Sequence, residues 1–164
     1  MFLGTKNKKL RTRKIISAEK NSPSLESSIG ENFVNDFNAL EKLSGFSARQ
    51  AREKFIRRYK IRAFSCENVE ERMNNPKISP KFTESGIANG DFWACNVDGN
   101  IFAVVPNLKT YTENHHAERA FGLVFESNFD GGTYSKIRVE RAATFEVSGD
   151  SWNLKHSGVI VLAN

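Results

Sequence analysis

The stretch DFWACNVDGNIFAVVP, residues 91–106, limits the fold more tightly than any other part of the sequence. Two apolar runs flank Asp98-Gly99, a dipeptide typical of the two-residue type I′ turn between antiparallel strands. Such a turn predicts three cross-strand pairs: Val97 with Asn100, Cys95 with Phe102, and Trp93 with Val104. Both faces of this hairpin are largely apolar, so we expect it to lie centrally, with helix on one side and sheet on the other.

Apolar residues at helical spacing predict two helices upstream of the hairpin. The first helix has a stripe of buried residues: Phe33, Phe37 and Leu40. Ser47, with Gln50 three residues later, fits the capping box of a second helix, which we expect to end near Tyr59. Residues 31–60 are therefore predicted to form a helical hairpin.

The last third of the chain, TYSKIRVERAATFEVSGDSWNLKHSGVIVLAN, alternates short apolar runs with the turn signals SGD and HSG. This pattern predicts three or four short strands in a curled sheet or partly open barrel. Apolar residues over 113–127 recur at helical spacing and predict one inserted helix. The predicted fold class is α+β, with the helical hairpin followed by a small antiparallel β-rich domain over 61–164.

The basic excess of the sequence is concentrated at its N-terminus. Residues 1–20 contain seven of the 24 Lys and Arg residues but only one of the 19 acidic residues, so the remainder is close to neutral. We interpret residues 1–30 as a disordered basic arm and linker that binds an acidic partner by electrostatics. Six cations of the arm are the predicted contacts: Lys6, Lys8, Lys9, Arg11, Arg13 and Lys14.

The second helix carries further predicted contacts on its polar side: Arg49, Lys54, Arg57 and Lys60. Two helices joined by a short turn resemble a helix-turn-helix in outline. In that arrangement the residues near the helix start would face base edges, namely Ser47, Arg49, Gln50 and Lys54, and those near its end would contact phosphates, namely Arg57, Arg58 and Lys60. Glu53 lies four residues from both Arg49 and Arg57, a spacing typical of ion pairs on a solvated helix face. Nucleic-acid binding through the arm and helix 47–60 is therefore the alternative to protein binding.

His115 and His116 are the only clustered histidines in the sequence. Adjacent helical residues point about 100° apart, so this pair does not have the i, i+4 geometry of a metal site. A small hydrolase or nuclease that uses both histidines with Asp130 is the second alternative function. Four aspartates adjoin glycine, a setting typical of turns: Asp91, Asp98, Asp130 and Asp150.

Two cysteines, Cys66 and Cys95, are too few for a disulfide framework, and their spacing fits no zinc motif. We expect both to be buried free thiols in a reducing compartment. The sequence contains no recognisable phosphate loop or metal motif. We therefore expect no cofactor and no metal, and interpret the chain as non-catalytic.

These patterns favour a non-catalytic intracellular binding or assembly module, a subunit or accessory of a larger complex. Its basic arm would engage an acidic protein partner, and the affinity would fall with salt. The N-terminus lacks the apolar run of a signal peptide, and no segment approaches the roughly 18 apolar residues of a membrane span. We therefore expect a soluble cytoplasmic protein without membrane contact.

Overall fold

The apolar stripe of the first helix extends further upstream than its predicted start. A computed structural model describes residues 25–164, with side chains from Ser28 onward. Helix α1 spans Leu25–Leu40 rather than beginning at residue 31, because Ile29 continues the stripe and packs against the core. The predicted contacts of the arm lie outside the described residues: Lys6, Lys8, Lys9, Arg11, Arg13 and Lys14.

Helix α2 spans Gly45–Tyr59 and begins earlier than the sequence indicated. Ser44 is the N-cap residue, and Gly45 has a φ of 63°, a left-handed conformation that glycine adopts without strain. Ser47 therefore lies within the helix, and the predicted capping box with Gln50 is wrong. The two helices nevertheless form the predicted hairpin.

Six strands close into an antiparallel barrel, which confirms the predicted β-rich part of the α+β fold. The order around the barrel is β1, β2, β8, β7, β4 and β3, with β3 returning to β1. These strands are β1 (Arg62–Cys66), β2 (Phe82–Ser85), β3 (Phe92–Asp98), β4 (Ile101–Pro106), β7 (Ala143–Ser148) and β8 (Ser151–His156). A short helix, α3 (Val69–Asn74), lies between β1 and β2.

Aromatic rings fill the inside of the barrel. The buried Phe64 ring contacts four others at centroid distances from 4.4 to 5.7 Å: Phe82, Phe92, Phe145 and Trp152. Helix α5 (Phe121–Val124) packs at the start of β3, where the Phe121 ring stacks on Phe92 at 4.4 Å. A barrel of this size has room only for side chains, and here they are mostly phenylalanine.

The central hairpin forms at the predicted turn, but its strands are shifted by one residue. The observed pairs are Asn96 with Phe102, Ala94 with Val104, and Trp93 with Val105, so the predicted register is wrong. The cause is a β-bulge at Val97, where the Asn96 side chain donates hydrogen bonds to the carbonyl oxygens of Gly99 and Ile101. Because of this one-residue shift, the β4 residues predicted to face one side of the hairpin face the other side. Phe102 therefore points into the barrel, where its ring contacts Trp152.

A second sheet of three strands packs beside the barrel. Its central strand is β9 (Gly158–Ala163), which is parallel to β5 (Phe125–Glu126) and antiparallel to β6 (Lys136–Arg141). Asn128 forms two hydrogen bonds with the backbone of Leu162 on β9. Asn38 of α1 does the same with Val139 on β6. Each asparagine amide takes the place of a neighbouring strand.

The predicted helix over 113–127 is divided into two short helices and a strand. Helix α4 spans Glu113–Ala117, and α5 begins only at Phe121. Ala120 separates them with a φ of 66°, a conformation that interrupts a right-handed helix. None of the helices described between residues 25 and 164 is long and apolar enough to span a membrane.

Candidate functional site

The polar side of α2 carries the cations that the sequence predicts as partner contacts. Arg49, Lys54, Arg57 and Lys60 are all exposed, and we call these four residues the basic face. None of them forms an ion pair within residues 28–164. Glu53 lies four residues from both Arg49 and Arg57 but forms an ion pair with neither among the described residues. The basic face therefore presents its charge to solvent.

An apolar tip adjoins the basic face at the turn between the two helices. The side chain of Phe46 is 71% exposed, and that of Leu43 is also exposed. Phe46 precedes Arg49 by three residues, so the two side chains lie on the same side of α2. An exposed aromatic ring beside arginine is typical of macromolecular interfaces.

The opposite side of α2 fixes the orientation of the helix on the barrel. The Phe55 ring stacks on Trp93 with centroids 5.9 Å apart, and the Arg52 guanidinium lies 4.0 Å from the same indole. Arg52 also donates a hydrogen bond to Oδ1 of Asn107. Burial lowers the pKa of Arg52 and raises the pKa of Glu41, which interacts with it. Packing and charge together therefore anchor the helix that carries the basic face.

Asp36 of α1 joins the two helices near the end of α2. Its carboxylate accepts a hydrogen bond from the Tyr59 hydroxyl at 2.6 Å and pairs with the Arg58 guanidinium at 2.9 Å. Burial and the neighbouring Asp36 carboxylate raise the pKa of Tyr59 to about 12. The tyrosine therefore remains a neutral hydrogen-bond donor at physiological pH.

Both clustered histidines take part in local structure around α4. The Nδ1 atom of His115 accepts a hydrogen bond from the backbone N–H of Thr112 at 3.2 Å, within a capping box. The Nδ1 atom of His116 lies 2.9 Å from the Tyr111 hydroxyl, and its ring stacks on Phe129 at 4.3 Å. Burial, together with the nearby Arg119 charge, lowers the pKa of His115.

Asp130, the third residue of the hydrolase hypothesis, has a different partner. Its carboxylate accepts a hydrogen bond from the Tyr134 hydroxyl. Within the described part of the chain, no hydrogen bond or ion pair joins Asp130 to either histidine. The geometry of these three residues therefore lends the hydrolase hypothesis no support.

Both cysteines are buried free thiols, as expected. Cys95 lies on the side of β3 that faces the helices, and burial raises its pKa to about 11. Burial also raises the pKa of Cys66, whose Sγ lies 3.4 Å from Oδ1 of Asn68. Neutral thiols are weak nucleophiles, so both side chains are suited to packing rather than to covalent chemistry.

Asp91 is not the simple turn residue that its sequence context indicates. Its buried carboxylate pairs with the Arg119 guanidinium at 2.9 Å, and its backbone N–H donates to the Ser65 hydroxyl. The pair lies in an open cleft of about 510 Å³ that includes Glu67 and Cys66. The dipeptide Gly-Asp occurs in turns, so the local sequence predicts a turn at Asp91. The ion pair depends on Arg119, which lies 28 residues further along the chain, and no sequence pattern links the two residues.

Arg72 is a second buried polar residue that the sequence does not identify. Its guanidinium donates to three backbone carbonyl oxygens, those of Ile78, Ala117 and Glu118. Two of these carbonyls end α4, where the helix dipole favours a cation. Arg72 therefore joins α3, the loop before β2 and the end of α4, which are distant in sequence.

The structure exposes Arg49, Lys54 and Arg57 on α2 and Lys60 at its left-handed C-cap, and gives His115 and His116 local contacts. No group of three His, Cys, Asp or Glu residues within the described ranges is arranged to hold a metal ion. No protein-family model, no curated protein and no solved structure matches this chain.

Proposed function

We propose that this protein is a non-catalytic binding or assembly module that engages an acidic protein partner in the cytoplasm. The basic face of α2 and the cations of residues 6–14 would form the contact, and the module would serve as an accessory of a larger complex. One observation carries the proposal: the four exposed cations of the basic face have no ion-pair partner in the described structure.

The surroundings of the basic face suit this role. Exposed charges speed association and select partners of opposite charge, whereas apolar anchors supply most of the affinity. Phe46 is an exposed anchor on the same side of the helix. Phe55 and Arg52 hold the helix against Trp93, so the surface is already ordered before a partner binds.

Nucleic-acid binding is the second candidate function, and one observation favours it. Phe46 is exposed three residues before Arg49, so a base could stack on its ring while the arginine contacts the adjacent phosphate. The other cations of the basic face would track the backbone without reading sequence. The cations of residues 6–14 would add to the same electrostatic attraction.

A binding assay with charge variants tests both candidates. The probes are a glutamate-rich peptide with interspersed leucines, single-stranded RNA and duplex DNA, each titrated by fluorescence anisotropy. Replacing Arg49, Lys54, Arg57 and Lys60 with glutamine should weaken peptide binding about tenfold or more. Raising the salt from about 50 mM to about 200 mM should weaken it in the unmodified protein.

A charge-matched variant replaces four exposed cations elsewhere with glutamine, Lys77, Lys136, Arg138 and Arg141, and should bind as the unmodified protein does. A second variant, with glutamine in place of the six cations of residues 6–14, distinguishes the contribution of the arm to the binding affinity from that of the helix. Tighter binding of RNA or DNA than of the peptide would favour the second candidate. Failure to bind any of the three probes at low salt would contradict both.

A further inference from the structure

The barrel is held together unevenly where β2 meets β8. These strands pair through two positions alone, Phe82 with Trp152 and Thr83 with Ser151. Strand β8 continues to His156 and remains paired with β7 except at Lys155, where the register shifts by one residue at a β-bulge. Beyond Trp152, the other edge of β8 therefore has no neighbouring strand within the described structure.

The segment before β2 is drawn away from β8 by the buried Asn68. The Asn68 side chain donates a hydrogen bond to the carbonyl oxygen of Ser79 at 3.1 Å and accepts one from the N–H of Lys81 at 2.9 Å. The Lys81 carbonyl oxygen accepts from the N–H of Glu67 at 2.7 Å. Pro80 has no N–H, so it cannot extend the ladder towards β8. The open seam between β2 and β8 is thus part of the fold.

The backbone of Leu154 faces this seam. The N–H of Val147 on β7 donates to the carbonyl oxygen of Asn100, so it points towards β4 and away from β8. Phe145 lies two residues earlier on β7, so its N–H and C=O also point towards β4. Leu154 is the β8 partner of Phe145, so its own N–H and C=O point away from β7. One donor and one acceptor are therefore available for an added strand.

An apolar groove of about 390 Å³ lies along the seam. It is lined by Pro80, Phe82, Leu123, Trp152, Asn153 and Leu154. Leu123 of α5 is 51% exposed, and its carbonyl oxygen accepts a hydrogen bond from the Ser157 hydroxyl, which keeps α5 beside the end of β8. The groove therefore places apolar surface beside the N–H and C=O of Leu154.

The charges beside the groove indicate what would bind there. None of the residues that line the groove is charged. Two exposed lysines flank it in sequence: Lys81 lies between Pro80 and Phe82, and Lys155 follows Leu154. Lys155 pairs with Glu146 at 2.9 Å, whereas Lys81 has no carboxylate partner among the described residues. A ligand with an apolar centre and an acidic residue close to Lys81 complements this arrangement.

We propose that the seam binds an extended segment of a partner protein as an added β-strand beside Leu154. An apolar side chain of that segment occupies the groove between Pro80 and Leu123, and an acidic residue lies near Lys81. Strand addition of this kind takes affinity from main-chain hydrogen bonds and specificity from side-chain pockets. Asn38 and Asn128 cover backbone groups of the second sheet that no strand pairs with, whereas no such amide covers Leu154 within the described residues. This inference does not depend on the function proposed for the basic face.

Three blocked peptides test the proposal against the full-length, isotope-labelled protein. The first is Asp-Ile-Val-Ile-Asp, the second has proline in place of valine, and the third has lysine in place of both aspartates. The first peptide should shift the amide resonances of Leu123 and Leu154 and slow hydrogen exchange at Leu154. The proline and lysine peptides should each bind about tenfold more weakly.

Leu123→Ser should weaken binding of the first peptide about tenfold, because the variant removes the exposed wall of the groove. Met73→Ser changes another exposed apolar residue, 57% accessible, and should leave the affinity unaltered. The glutamine variant of the basic face should also bind this peptide normally, so the two proposals fail separately. Equal binding of the proline peptide, or resonance shifts outside the seam alone, would overturn the strand-addition proposal.

Discussion

The side-chain amide of Asn38 pairs with the backbone of Val139 as an adjacent β-strand would. Its Nδ2 donates to the Val139 carbonyl oxygen at 2.7 Å, and its Oδ1 accepts from the Val139 N–H at 2.9 Å. A residue of α1 thus satisfies the edge of a strand that lies 101 residues further along the chain. This contact joins the helical hairpin to the second sheet through hydrogen bonds as well as apolar packing.

Replacement of Asn38 by alanine should lower the free energy of unfolding by about 1–3 kcal/mol. The substitution leaves the N–H and C=O of Val139 without their partner in a partly buried position. Asn35→Ala is the matched control, since Asn35 is exposed on the same helix and should show only the small gain of helix propensity. Urea unfolding measures both variants, and equal midpoints would contradict the proposed role of the amide.

Acid should weaken the capped start of α4 through His115. Its folded-state pKa is lowered, chiefly by burial, so the unfolded chain binds the proton more tightly. The stability contribution of neutral His115 is therefore complete above about pH 6.5 and declines as the pH falls below that value. Protonation of Nδ1 also removes the acceptor for the Thr112 N–H. Urea unfolding between about pH 7 and pH 5 measures this loss.

His115→Gln separates titration from capping. Glutamine at this position restores the capping box with Thr112 but has no charge to gain in acid. The variant should unfold like the unmodified protein near neutral pH and lose less stability in acid. His115→Ala should have a lower free energy of unfolding at every pH, by about 0.5–2 kcal/mol. An unchanged acid dependence in His115→Gln would show that another group is responsible.

Gly158 should tolerate no side chain, whereas Gly30 should benefit from one. A Cβ on Gly158 would lie 2.6 Å from both the Ala143 nitrogen and the Arg141 oxygen, so backbone would have to move. Gly158→Ala should cost about 1–3 kcal/mol or more. Gly30 lies within α1 with open space around it, so Gly30→Ala should stabilise the protein by about 0.5–1 kcal/mol. Opposite shifts in thermal midpoint are the expected result.

Arg52→Lys should loosen α2 although it conserves the charge. The lysine lacks the planar guanidinium that lies over Trp93 and reaches Asn107, and we expect a loss of about 0.5–2 kcal/mol. Arg57→Lys, on the exposed side of the same helix, should leave stability unchanged. Quenching or shift of Trp93 fluorescence provides a second measurement, and an unaltered spectrum in Arg52→Lys would argue against the contact.

Local patterns in the sequence were sufficient for the α+β class, the helical hairpin and the turn at Asp98-Gly99. The register of that hairpin was not predictable, because the bulge at Val97 depends on how the Asn96 amide bonds to Gly99 and Ile101. The start of α2 was missed because the helix begins at Gly45 in a left-handed conformation, after a Ser44 that forms no side-chain cap hydrogen bond. The chemistry of a capping box is therefore not what sets this helix start.

The exposure of Arg49, Lys54 and Arg57 was predictable from the sequence, because helical periodicity determines which residues share a side of α2. Their role as partner contacts stays a prediction. The partners of Asp91, Arg72 and Asn68 depend on tertiary contacts, and their local sequence contains no sign of them. The open seam beside Leu154 follows from such contacts too, although Pro80 signals that its segment is a poor central strand.

The order of the strands has a consequence for the folding of the chain. β8 closes the barrel between β7 and β2, and β9 lies between β5 and β6, so these two strands complete both sheets. A folding intermediate in which β8 and β9 are not yet docked therefore has unpaired strand edges in both sheets. Such edges are open to pairing with other chains, so we expect aggregation during folding to decline once β8 and β9 are in place.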